Sequence, residues 1–208
     1  MLWVAVVIAP AHWRQGAEML DFAGKVRTAN LAILVGIRHL PAYREVLPLH
    51  ERRMPANSAT RYAPLLREHR LGMFTAGQGE LLGMRVGEQL GISATTTCEG
   101  EIDDIDVLID RSRVLTRGAK LSGQAWAQKG RSTLRGIVIS DEAGEVIGLG
   151  AMERTAAPTA KVPPVAGTGW IAYTHPPIRG GRVNIWGRID DRVVCRIAGP
   201  VTIWPGRS

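Results

Sequence analysis

The chain is poor in cysteine, with two in 208 residues, and poor in aromatics at 5%, and its lysines stand only at 25, 120, 129 and 161. Each shortage excludes something. Cys98 and Cys195 fit no zinc spacing and no Cys-x-x-Cys motif, so neither a cysteine-held zinc nor a thioredoxin-type centre is expected. The sequence also lacks a phosphate-binding Gly-x-x-x-x-Gly-Lys, a Gly-x-Ser-x-Gly elbow and a His-Glu-x-x-His, the signatures of common nucleotide, serine-hydrolase and zinc-protease sites. Gly148-Leu-Gly-Ala-Met-Glu imitates a dinucleotide fingerprint but lacks the third glycine and the helix that should follow. No cofactor is expected. Basic residues form no run longer than Arg52-Arg53, so the formal net charge of +7 is spread among acids. With no aromatic-plus-basic or helix-turn-helix pattern, nucleic acid is not an expected partner.

What is present is strand. Hydrophobic content of 45% is enough for a buried core. Residues 121–151 read as three consecutive strands, because Ile137, Val138, Ile139, Val146 and Ile147 suit a pleated surface and 141–144 carry turn chemistry. Gly144 is expected in the left-handed conformation that starts the return strand. Further strands are read over 101–109, 169–173, 182–189 and 192–198, with Gly199-Pro200 breaking the chain before a last strand over 201–204. In the strand that begins at Arg182, Val183, Ile185 and Gly187 fall on one face and Asn184, Trp186 and Arg188 on the other. The fold expected is α+β: a helical segment, then an antiparallel β-sandwich of about seven or eight strands over 93–208. Cys98 and Cys195 lie near the two boundaries of that domain, so a bridge is expected, the alternative being two separate buried thiols. A bridge would place the chain in an oxidising compartment.

The amino-terminal part differs. Residues 1–13 hold an unbroken apolar run stopped by Pro10, whose rise as a helix, about 17 Å, falls short of the roughly 30 Å of bilayer hydrocarbon. Three readings fit: a secretory signal without its basic start, a buried core strand, and the preferred one, the end of a transmembrane helix with Trp3 and Trp13 at the interface. Residues 14–92 are expected to be a helical, membrane-proximal segment. Within it, 14–40 is one amphipathic helix stopped by Pro41, weakened by Gly16, Gly24 and Gly36, and a second runs from about 57 to 71. No structure is assigned to the glycine-punctuated 77–91.

Two local patterns resemble a known group. Phe22-Ala-Gly-Lys-Val-Arg-Thr-Ala-Asn-Leu-Ala-Ile-Leu-Val-Gly and the later Leu65-Leu-Arg-Glu-His-Arg-Leu-Gly-Met-Phe resemble the region after the last membrane helix in uncharacterised multi-pass bacterial membrane proteins of envelope-polysaccharide or glycosyltransferase-like type. In that group a cysteine-started β-domain follows, with a Gly-x-Ala-Trp strand and an Asp-x-x-Gly-x-Val-x-Gly hairpin. Here Cys98, Gly123 to Trp126, and Asp141 with Gly144, Val146 and Gly148 take those places. The resemblance implies a membrane-anchored tail on the periplasmic side of the envelope. It carries over no catalytic residue.

Two clusters invite a chemical reading. Glu99, Glu101, Asp103, Asp104 and Asp106 lack a calcium-loop spacing and read as edge charges that discourage strand pairing, ahead of a metal site or a glycosidase-like carboxylate pair. Trp126, Trp170, Tyr173, Trp186 and Trp204 fall in predicted strands, where aromatic faces stack on sugars as well as on core neighbours. The glycan surface expected from them is Trp186 with Asn184 and Arg188, joined by Trp170, Tyr173 and His175. The expected role is therefore a non-catalytic envelope tail that binds a glycan, contacts a protein partner or packs on its membrane domain, with membrane contact through the apolar start. The alternative is an exported enzyme acting on envelope carbohydrate.

Overall fold

A computed structural model describes residues 16, 19, 22–37, 65, 68–69, 78–110, 115–128, 134–153, 169–175 and 181–203. The apolar run 1–13, most of the second expected helix and Trp204 lie outside them. Residues 22–34 form a helix, α1, to which Gly16 and Met19 also belong. The helix ends at a left-handed glycine, ahead of the proline expected to stop it. Gly36 has φ 84°, its N–H donates to Ile33 O at 2.9 Å, and the Ile37 N–H donates to Ala32 O at 2.9 Å. This is the reciprocal cap that satisfies the last carbonyls of a helix.

Eight strands follow a 3-10 turn at Gln78–Leu81: β1 (Gly91–Ile92), β2 (Cys98–Asp110), β3 (Leu115–Ala127), β4 (Gly136–Ser140), β5 (Val146–Met152), β6 (Gly169–Thr174), β7 (Arg182–Arg188) and β8 (Val193–Thr202). They make one sheet in the order β1-β8-β7-β4-β5-β6-β3-β2, antiparallel except for the short β1–β8 pair. The α+β, strand-rich class holds. The two stacked sheets expected of a sandwich do not form, because hydrogen bonding is continuous across all eight strands. The sheet curls instead, bringing β2 at one end against β8 near the other, where the Cys98–Cys195 disulfide joins them with Cα atoms 5.5 Å apart. Bulges at Ile102/Asp104, Ile139/Ser140 and Ile185/Trp186 assist the bend, as each adds local twist.

The curl produces two cores. Inside it lie Leu121, Ile137, Ile139, Trp170, Val183 and Ile185. On the outer face, Val138, Leu149, Tyr173 and Trp186 pack in one cluster with Leu31 and Leu34 of α1, Val35 and Ile37 just past its end, and Leu81 and Leu90. Strands β4 and β5 are buried along their whole length because both faces are covered. Each fully buried Leu or Ile contributes roughly 1.5–3 kcal/mol, so α1 and residues 81–90 are held firmly on the sheet. The stretch left without assignment is ordered by that sheet: Gly83 N–H donates to Val146 O, and Val146 N–H to Met84 O, at 2.9 and 2.8 Å. At Gly123 the inner face tolerates no side chain, since a Cβ would sit 2.1 Å from Glu101 O and 2.8 Å from the Trp170 ring.

Two turns follow the sequence closely. Gly144 has φ 84°, and the Asp141 carboxylate accepts from the Glu145 N–H at 2.9 Å, closing the β4–β5 hairpin. Asp190 Oδ1 accepts from the N–H groups of Arg192 and Val193, both at 2.8 Å, which closes β7 onto β8. Gly199-Pro200 does not break the last strand. It is a cis peptide carried within β8 as an irregularity opposite Asn184.

Candidate functional site

The alternation expected for β7 is observed, with Val183 and Ile185 in the inner core and Trp186 on the outer face. That outer face is not open to solvent. Trp186 is 8% exposed beneath the helix layer, its indole N–H donates to Ser140 Oγ at 3.0 Å, and the Arg196 guanidinium stands 5.8 Å from its ring centre. The stacking platform expected at Trp186 is therefore covered. Asn184 is occupied as well, donating to Asp141 O at 3.2 Å and accepting from Arg196 Nη2 at 2.9 Å.

The remaining residues of the expected surface are dispersed. Trp170 is buried inside the curl, and its indole N–H finds no acceptor. Tyr173 is buried on the opposite face under α1. Burial pushes its phenol above the ordinary range, helped by the nearby carboxylates of Glu153 and Asp106. His175 is exposed at the end of β6, its ring resting against Gly36 at the close of α1. Trp126 donates its indole N–H to Glu99 at 3.2 Å, and Gln128 donates to the same carboxylate at 2.8 Å. Glu99 is thus accounted for, and Glu101, Asp103, Asp104 and Asp106 stand exposed on the end strand β2. Among the described residues no group of three or more His, Cys, Asp or Glu side chains is placed to hold a metal ion.

Of the expected residues, Arg188 lines an opening. It projects from β7 on the outer face beside its register partner Gly136, where a Cβ would sit 3.9 Å from its Nε. With Leu81, Gly136, Ile137, Leu149 and Gly150 it bounds a small cleft at the end of the helix layer. Its Nε–H is buried and finds no acceptor, although the residue as a whole stays partly exposed. Burial weakens its hold on the proton, and the neighbouring guanidiniums of Arg135 and Arg27 act the same way, against Asp191 and Asp190. Arg27, on α1, donates to Met152 O at 3.3 Å at the end of β5, and Arg135 pairs with Asp191 at 3.3 Å.

Sequence reasoning missed Arg27 and Arg135 as neighbours of Arg188. No spacing links positions 27, 135 and 188, and only the β4–β7 register and the seating of α1 on β5 bring them together. Comparison of the chain with protein-family models, curated proteins and solved structures finds no match.

Proposed function

We propose that this chain is a non-catalytic extracytoplasmic tail of a bacterial membrane protein, whose curled sheet is a rigid body that packs on the membrane part of its parent. The observation that carries this reading is the Cys98–Cys195 disulfide, because such bonds form and persist in oxidising compartments such as the periplasm. The helix supports the docking role. Its second half is buried on the sheet, whereas Met19 and Phe22 in the first half are 71% and 48% exposed, apolar surface suited to a membrane-apposed contact. Among the described residues no helix is long and apolar enough to cross a membrane, so this reading assigns the bilayer contact to the apolar segment 1–13. Docking is favoured over glycan binding because the Trp186 ring is covered.

The test is topological. Alkaline phosphatase fused after Ser208 of the native gene product is expected to be active in whole cells, and a green fluorescent protein fusion at the same point dark. The opposite pair of results refutes the extracytoplasmic assignment. Changing Met19 and Phe22 together to Glu is expected to leave the protein in the membrane fraction but to speed protease cleavage of the tail in spheroplasts several-fold, and an unchanged cleavage rate removes the docking surface.

A further inference from the structure

We propose that the cleft beside Arg188 is a binding site for an oxyanion, the carboxylate or phosphate group of an acidic ligand. Three observations converge there. First, among the described residues that line the cleft Arg188 alone is charged, the others being Leu81, Gly136, Ile137, Leu149 and Gly150. A guanidinium against apolar walls meets an anion with little competing water, which strengthens the attraction.

Second, Arg188 is uncommitted among the described residues. Its Nε–H is buried without an acceptor, and the nearby carboxylate of Asp191 is paired with Arg135. A buried donor left unmade costs roughly 1–3 kcal/mol, and an acceptor oxygen in the cleft would recover it.

Third, the surroundings favour negative charge. Arg27 and Arg135 are close enough to act on Arg188, against the two aspartates Asp190 and Asp191, which leaves the group net positive by one. Arg27 donates to Met152 O at the end of β5, the strand that also supplies Leu149 and Gly150 to the cleft. The cleft is small, with room for about one water-sized atom, so a single oxygen of the anion would enter it and the rest of the ligand would remain in solvent. The site does not depend on the compartment or on the docking role proposed above.

The experiment is calorimetric titration of the full chain at constant ionic strength, with inorganic phosphate in one arm, glucuronate in another and chloride as the control. Saturable binding is expected in at least one of the first two arms, and the tighter arm identifies the chemistry. Arg188→Gln is expected to weaken it about tenfold or more, as for a lost charged hydrogen bond, while Arg196→Gln on the same face leaves it unchanged. Absence of saturable binding up to about 10 mM, an affinity below about 3 kcal/mol, overturns the proposal. Equal loss in the two variants overturns it too, since only general basicity would then be at work. If circular dichroism finds Arg188→Gln unfolded, Arg27→Gln replaces it. That variant is expected to bind about threefold more weakly, and wild-type affinity in it counts against the site.

Discussion

Tyr173 and Glu153 show how far burial outweighs charge in this protein. Both groups are held above their ordinary values, 10.0 and 4.5, mainly by burial, and Lys120 only partly offsets the effect at Glu153. An acid whose folded pKa is raised ionises first in the unfolded chain, so stability falls as pH climbs past the unfolded value towards the folded one. For Tyr173 that loss begins above 10.0, and for Glu153 above 4.5. Tyr173→Phe, which keeps the ring in the outer core, is expected to remove the alkaline loss. Glu153→Gln is expected to flatten the profile on the acid side. Urea midpoints measured across pH check both, and an unchanged alkaline limb in Tyr173→Phe would show that the phenol is not its source. The same scale shows what the sequence could disclose. The two faces of β7 were legible from alternation, but the cover over Trp186 was not, because it comes from the outer core cluster and from Arg196 on β8, which no spacing links to position 186.

At the level of elements, α1 joins to the sheet through its carboxyl end. Gly36 adopts φ 84°, and a Cβ there would come within 3.0 Å of the His175 ring. Gly36→Ala is expected to cost about 1–2 kcal/mol, since it combines a left-handed alanine with a crowded imidazole. Chemical denaturation measures it, and a loss no larger than that of Gly16→Ala, where nothing lies within 4 Å, would refute the capping role. Strand positions and the hairpins at Asp141 and Asp190 were legible because their signals are local: β-branched runs, a turn glycine, an aspartate that accepts from backbone N–H groups. The order at 81–90 was not, as its hydrogen bonds go to β5 and to the tip of the β4–β5 hairpin. Gly199-Pro200 misled for a related reason. Proline forbids a ladder bond but not a bulge, and β8 passes through it opposite Asn184.

For the whole molecule, the disulfide takes the place of closing hydrogen bonds between the first long strand and the last. With its cysteines 97 positions apart in sequence, the chain-entropy model gives about 4–5 kcal/mol of stabilisation. The double variant Cys98→Ser with Cys195→Ser is expected to lose most of that in urea denaturation, and to match the wild-type chain measured in reductant. A double variant as stable as the oxidised protein would mean that the curled sheet holds itself shut. The pairing of Cys98 with Cys195 was readable from their positions, whereas a single curled sheet was not, because eight short strands are equally compatible with two layers. The clamp also sets an order on biogenesis. Cys98 leaves the ribosome long before its partner, so a nascent or prematurely terminated chain carries an unpaired thiol, open to thiol-transfer enzymes and to mismatched bonds with other polypeptides, until Cys195 has emerged.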